Sequence, residues 1–491
     1  MKSAYFQEQR IYSRREIIQH LSIDDQIADV FFERVFAANI LKLLKKEAAQ
    51  NKHREEILAG DYEIGDIVVS AEEKRYVFNF VGIVEIGIGS HCFILKCYPK
   101  YFSSPPDFTQ MKLITSVLQK YNAEEFSIVL AADTPDKKRY NQLAITLFIL
   151  QDYLEHGVYT RTKEELTKHG SNEIDWDVTI NETFPVLQNG RPFYVDYFTR
   201  ETSDDESSFI TRLHQYAITE CIKRLKATEL DILFGIETSE IYDGGIEDFG
   251  EIEFIKQRII SEINIQFVTQ KQQLLRTLYA FFSKEDYSEV NANLSLFGTN
   301  SFNMLWEKAC ASVFGNVMDT PICRLPLLQK SDNTQLLKDL IPRPEWKYIT
   351  GESFKSDTLK PDIINLCSYE GKTYFVIQDA KYYNLNFSGI GISGQPGIES
   401  INKQFLYQAA FSEFIKKHQL KVYNIFLFPN DGLEVLCKGE VVFPLPIFAE
   451  LDTIKIVVLP AEIILQNYLN NTVLDLGEVI LSKICNRAST Q

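Results

Sequence analysis

Asp362, Asp379 and Lys381 are the residues of this chain whose types and spacing most readily support chemistry. They frame the segment KPDIINLCSYEGKTYFVIQDAKYY (360–383), in which two runs rich in Ile, Val, Phe and Tyr flank a Glu-Gly-Lys turn. Side chains alternate faces along a strand, so Asp379 and Lys381 are expected on one face about 6–7 Å apart. Thr373, Phe375 and Ile377 share that face, while Tyr374, Val376, Gln378 and Ala380 take the other. Asp362 opens the partner strand, and a hairpin returns it toward Asp379. Two carboxylates converging at one sheet edge make a hard oxygen site suited to Mg²⁺ or Mn²⁺.

Phosphodiester hydrolysis needs what such a site supplies. The cation neutralises charge on the transition state and lowers the pKa of an attacking water. A neighbouring lysine orients or deprotonates that water, or stabilises the developing charge. The short triplet alone says little, because polar residues often close strands. PDKK at 135–138, EEK at 72–74 and EWK at 345–347 lack an apolar strand in the right place, and PDKK reads as solvated surface. What distinguishes 362–381 is the combination of Pro-Asp opening one strand, a turn, and an apolar strand leading into Asp-Ala-Lys.

The elements that must position these residues lie in a chain of 491 residues, long enough for roughly two or three domains. Hydrophobic content of 45% and charged content of 24% are ordinary for a globular protein. No apolar run approaches the roughly 20 residues needed to cross a bilayer, and the start lacks a signal-peptide pattern. The 8 cysteines include no C-x-x-C pair, so an intracellular, cytoplasmic setting is expected rather than a disulfide framework or a structural zinc site. The net charge of −16 opposes general binding to polyanions but leaves room for a local nucleic-acid groove. The acidic stretch 237–254 faces either a partner protein or solvent.

Three regions are expected: 1–106, helix plus β-rich, for partner or DNA docking; 107–290, mainly helical; and 291–491, carrying the site. Residues 12–48 have helical spacing, with Ser13 and Ser22 as N-cap candidates. They form part of a winged-helix unit or a plain helical packing element. The β-branched and aromatic runs of 66–102 predict an antiparallel sheet. Helices follow near 108–121 and 137–156, with polar loops at 161–175 and 200–207, and ETSDDESS (201–208) is the most linker-like stretch. The last region predicts a helix at 300–315, the hairpin at 362–383, a helix at 400–418, strands at 421–428 and 453–459, and a helix at 461–470. The fold class is therefore multidomain α+β, with α/β order and a mixed sheet flanked by helices at the C-terminal end.

The pattern resembles the PD-(D/E)xK nuclease superfamily, with Asp362, Asp379 and Lys381 as its motif residues. More narrowly, the chain resembles the LlaJI-type restriction endonucleases and, more distantly, McrC, the nuclease subunit of a modified-cytosine restriction system. SFNMLWEKACASVFGN (301–316) looks like that family's entry helix, which implies that Glu307 joins the metal site; the other reading is ordinary surface. INKQFLYQAAF (401–411) resembles the helix after the catalytic strand, with Lys403, Gln404 and Tyr407 as supporting residues or simply as a solvated face. YPKYF (98–102) and GSNEIDWDVTINE (170–182) are similar to segments upstream of the nuclease region in these proteins. The resemblance implies a Mg²⁺-dependent endonuclease subunit cutting double-stranded DNA, a separate McrB-like AAA+ GTPase partner, and self-association for double-strand cutting.

The chain itself holds no P-loop. EGKT (370–373) has Leu366 where a Walker A loop needs its first glycine. GIGISG (389–394) matches a dinucleotide fingerprint but is followed by Gln395-Pro396-Gly397, not by an apolar helix, and reads as a mobile loop beside the site. The alternatives are a stand-alone type II restriction enzyme and a non-catalytic DNA-binding or scaffold protein with a nuclease-like fold.

Overall fold

The computed structural model describes residues 1–44, 75–89, 91–131, 142–205, 208–283, 294–327, 332–388 and 391–488. The triplets at 72–74 and 135–138, residues 66–74 of the expected sheet, and residues 389–390 of the glycine loop lie outside them. The chain divides into two units, one made of Met1–Glu125 with Leu296–Gln491 and the other of Phe126–Ser295. Among the described residues no helix is long and apolar enough to cross a membrane.

The first unit begins with β1 (Lys2–Gln7), followed by α1 (Arg14–Leu21) and α2 (Asp25–Ala37). Ser13 caps α1 as expected, in a reciprocal capping box with Glu16. Ser22 does not cap α2: it is the left-handed C-cap of α1, and Asp24 takes the N-cap of α2. The helices lie between the short strands Ile11–Ser13 and Leu41–Leu44, and both strands pair with Arg75–Phe78. The helix pair is thus backed by a three-stranded sheet, with Arg75–Phe78 as its central strand. The exposed side of α2 carries Asp25, Asp29 and Glu33, which does not suit a phosphate backbone.

β2 (Val81–Ile88) and β3 (His91–Tyr98) form an antiparallel hairpin in a four-stranded sheet of order β1-β3-β2-β4, with β4 spanning Leu294–Thr299. The sheet is not wholly antiparallel, because β1 runs parallel to β3. β1 was not expected from sequence: KSAYFQ is too short and mixed to stand out beside the helical pattern after it. β2 and β4 approach so closely that a Cβ on Gly82 would lie 2.0 Å from Phe297 O, and one on Gly298 would lie 2.1 Å from Val81 O. Both glycines also have positive φ, so only glycine fits this crossing.

The remainder of the unit supplies α3 (Phe302–Phe314), the hairpin β5 (Ile363–Tyr369) and β6 (Lys372–Ala380), α4 (Ile398–Ala410), β7 (Lys421–Asn430), β8 (Leu436–Val441), β9 (Ile454–Pro460) and α5 (Ala461–Leu469). Its five strands order as β5-β6-β7-β9-β8, antiparallel at both edges and parallel among β6, β7 and β9. This is the expected mixed sheet flanked by helices. Glu370 and Gly371 both have positive φ, giving the two-residue turn that matches hairpin twist. β6 is buried from Thr373 to Ala380, as a central strand covered on both faces should be. Phe375 and Ile377 pack with Leu366, Tyr407 and Phe411, each large buried side chain contributing about 1.5–3 kcal/mol. The helix expected at 400–418 is interrupted at Phe411, and Ser412–Lys417 continues as a short separate turn. The edge strand β8 was missed, because its alternating, partly exposed LCKGEV carries little apolar signal.

In the second unit, helices Gln142–His156, Phe209–Ala227, Ile252–Ile265 and Thr269–Phe282 dominate, as expected for the middle of the chain. The polar loops expected at 161–175 and 200–207 are corrected: Arg161–Lys168 and Phe198–Asp205 pair as an antiparallel ribbon. Main-chain pairing needs no apolar face, so a Thr- and Glu-rich ribbon escapes a search for hydrophobic alternation. His214 is fully buried, accepts the Tyr159 N–H at Nδ1 (2.9 Å), and is pulled down to about 3 by burial. It is a neutral core histidine.

Gly82→Ala or Gly298→Ala is expected to destabilise the protein by roughly 2–4 kcal/mol, because backbone cannot yield at the crossing. Urea unfolding measures this, and a change within about 0.5 kcal/mol, the range of an ordinary surface substitution, would contradict it.

Candidate active site

β6 carries the centre of the site because its ladder ends there. Asp379 is the penultimate strand residue, paired with Phe426 of β7, and Lys381 N–H still donates to Leu427 O (2.8 Å) as the chain leaves the sheet. The side chains of Asp379 and Lys381 meet at 2.8 Å between Oδ2 and Nζ. Asp379 is buried at 4% exposure, which makes the ammonium beside it a necessary partner.

Asp362 reaches the same place from the start of β5. Its Oδ2 accepts the Ala380 N–H at 3.1 Å, and its carboxyl lies close enough to that of Asp379 for the two to interact strongly. Burial, then the hydrogen bond and charge of Asp379, hold the Asp362 carboxyl far above the ordinary range. Two carboxylates this close in a dry setting cannot both ionise freely. Burial lowers the Lys381 ammonium, but Asp379 and Asp362 together outweigh it and leave its pKa above the ordinary lysine value. Lys381 is therefore a cation at neutral pH.

Glu307 projects from α3 toward this pair. Burial and then the charge of Asp379 push its carboxyl up, while Lys381 offsets part of the effect. α3 is fixed by Trp306, which is fully buried and directs Nε1 at Leu427 O (3.5 Å), the same carbonyl that accepts from Lys381. The expected four residues, Glu307, Asp362, Asp379 and Lys381, are thus brought together.

The supporting trio from α4 is divided. Tyr407 faces the acids: burial first, then Asp379, Asp362 and Glu307, push its phenol well above the ordinary value. Gln404 is fully buried, donates from Nε2 to Ile377 O (3.2 Å), and leaves Oε1 without a partner among the described residues. Lys403 is exposed, one position round the helix from Gln404. Sequence reasoning missed Asn316, which donates from Nδ2 to Asp362 O (2.8 Å) and accepts the Ile364 N–H at Oδ1 (3.2 Å). Its only sequence signal is its place directly after the Gly315 that ends α3.

Asp362, Asp379 and Glu307 are the hard oxygen donors that could hold a divalent cation. Among the described residues no three His, Cys, Asp or Glu side chains form a ready-made cage. Lys381 occupies Asp379 Oδ2, and the Asp362 carboxyl lies beside that of Asp379. The donor set fits by its chemistry: clustered carboxyls, held above their ordinary range by burial and mutual repulsion, call for positive charge, and Lys381 already lies beside Asp379. EGKT is confirmed as a hairpin turn, and Gly391–Ser393 pairs with Asn386–Ser388 in a small hairpin.

A five-stranded mixed sheet with an acid pair and a lysine at the end of its first parallel strand has the form of a restriction-endonuclease-type nuclease region. The family model described as LlaJI restriction endonuclease matches residues 80–462, and the chain belongs to that family. A component of a type II restriction enzyme from Bacillus subtilis (strain 168), BsuMI component YdjA, is 28% identical over 405 residues, covering 80% of this chain and 81% of that protein. A cryo-EM structure of the Thermococcus gammatolerans McrBC complex matches with 12% identity and a TM-score of 0.22, covering 57% of this chain and 79% of that one. The fold described above rests on its own strand order, not on that likeness.

Asp362 gives a pH prediction. Its folded pKa is raised, so its contribution to stability is present below the ordinary value near 3.8 and is lost as pH rises toward about 9. In EDTA, the melting temperature of the wild type is expected to fall across that window, and Asp362→Asn to flatten the fall. Parallel pH–melting curves for the two proteins would refute the assignment.

Proposed function

We propose that this chain is the Mg²⁺- or Mn²⁺-dependent DNA-cutting subunit of a restriction system, of the PD-(D/E)xK type. The observation that carries the reading is the convergence of Asp362, Asp379 and Lys381 at the end of β6, with the 2.8 Å contact between the last two. Asp362, Asp379 and Glu307 would hold the cation. When bound, it would supply charge neutralisation at the phosphate and a lower pKa for the attacking water. Lys381, a cation held beside Asp379, donates hydrogen bonds to the phosphoryl oxygens and stabilises the charge that develops there. Water attacks phosphorus and gives up a proton to solvent, the P–O bond to one sugar breaks, and the leaving oxygen takes a proton from solvent, so that one water is added across the bond. Tyr407 and Gln404 pack behind the acids and hold α4 against β6, excluding bulk water.

Double-stranded DNA is the substrate this reading requires, since the family is one of restriction endonucleases. A second chain is part of the proposal. The relative is named as a component of its enzyme, and the one Walker-like string here is a hairpin turn. A McrB-like AAA+ GTPase is the proposed partner, with the chain working in the cytoplasm and pairing with a second copy to cut both strands. The type II name of the relative favours a second reading, in which this chain cuts without a nucleotide-driven motor. Cleavage of plasmid DNA by the purified chain, with and without a McrB-like GTPase and GTP, separates the two.

Asp379→Ala and Lys381→Ala are each expected to lower single-turnover cleavage by about 10²–10⁴-fold. Wild-type rates in both would overturn the mechanism. Added Mn²⁺ is expected to raise the melting temperature of the wild type at pH 8 and to leave the Asp362→Asn, Asp379→Asn double variant unmoved. An equal shift in both proteins would place the cation elsewhere.

A further inference from the structure

Three polar side chains from distant parts of the sequence meet where solvent does not reach: Glu8, Lys100 and Tyr382, exposed by 4%, 8% and 6%. The Tyr382 hydroxyl donates to Glu8 Oε2. The Lys100 N–H points at the same carboxylate oxygen (3.4 Å) and at the Tyr382 hydroxyl oxygen (3.2 Å). Lys100 Nζ donates to Gln9 Oε1 (2.8 Å) and lies 4.8 Å from the Tyr382 ring centre and 5.4 Å from that of Tyr383. The Tyr382 ring packs on Phe302 of α3 (5.3 Å) and Tyr101 (6.4 Å). Burial raises the Glu8 carboxyl, with Lys100 and Tyr382 offsetting part of that cost.

Stability does not explain such a group, because buried charges can often be replaced by well-packed apolar residues without loss. Its position does. Tyr382 follows Lys381 at the point where the chain leaves β6. Directly after Ala380, main-chain hydrogen bonds run from the Lys381 N–H to Leu427 O and from the Tyr383 N–H to Lys381 O (3.1 Å). We propose that Glu8, Lys100 and Tyr382 form a clamp that fixes the exit of β6 and thereby aims the Lys381 ammonium beside Asp379. They are positioning residues, and the proposal rests on the nuclease reading. Glu8 follows β1 and Lys100 follows β3, so the N-terminal sheet becomes part of the apparatus that orients the lysine.

The test compares full-length wild type, Tyr382→Phe, Glu8→Ala and Glu8→Gln, with the restriction partner present if cleavage needs it. Rates are read under single turnover well below every variant's melting temperature, and DNA affinity is read with Ca²⁺ in place of Mg²⁺. Tyr382→Phe and Glu8→Ala are expected to cut roughly 10–100-fold more slowly with DNA Kd changed less than about twofold, as small misplacements of a reacting group do. Glu8→Gln keeps an oxygen for the tyrosine hydroxyl and is expected to stay near the wild-type rate. The clamp is overturned if folded Tyr382→Phe cuts at the wild-type rate, or if the slowing is matched by weaker DNA binding. Should Glu8→Ala fail to fold, Tyr382→Phe alone decides. If Asp379→Ala also cuts like the wild type, the nuclease reading fails and the clamp falls with it, which separates that failure from a defect of the clamp alone.

Discussion

Two carboxylates held against each other with restricted access to water are the constraint that organises this protein. Asp362 and Asp379 repel when ionised, and burial magnifies the repulsion. Positive charge must be delivered to them and held there. Lys381 delivers it from the same strand end, and the geometry of β6, β7 and α3 keeps it in place through the shared carbonyl of Leu427. Asn316 and the Ala380 N–H fix Asp362 from its two sides. Much of the packing around the sheet can be understood as support for one electrostatically costly point.

That support does not come from the C-terminal region alone. The first unit joins residues from both ends of the chain, and the sheet of β1 to β4 contains strands from each. Glu8, Lys100 and Tyr382 tie the same two parts together by side chains. Lys381 lies one residue past the end of β6, and the contacts of Tyr382 with Glu8 and Lys100 follow directly after it.

The central part of this arrangement was legible in the sequence. The hairpin, the strands β7 and β9, the helices α3 and α5, and the meeting of Asp362, Asp379 and Lys381 all follow from apolar periodicity plus polar strand ends. Glu307 came only through family resemblance, since a lone glutamate on an amphipathic helix carries no signal of its own. What sequence did not reveal shares one trait: its order comes from partners far away in the chain. β1 is stabilised by pairing with β3, the ribbon at 161–168 by pairing with 198–205, and the clamp by three residues spread over 374 positions. Lys403 illustrates the converse, because helical spacing groups it with Gln404 and Tyr407 while the sheet admits only the latter two.

The glycine crossing between β2 and β4 has a consequence for synthesis. β2 is made early, but the strand that covers its edge arrives some two hundred residues later, on the order of tens of seconds at ribosomal speed. Throughout that interval a run as apolar as VGIVEIGI offers an open edge to any neighbouring strand. The nascent chain must survive this wait before its nuclease sheet exists at all. How fast it is translated, and what shields β2 meanwhile, therefore bear on how much of the protein reaches its working form.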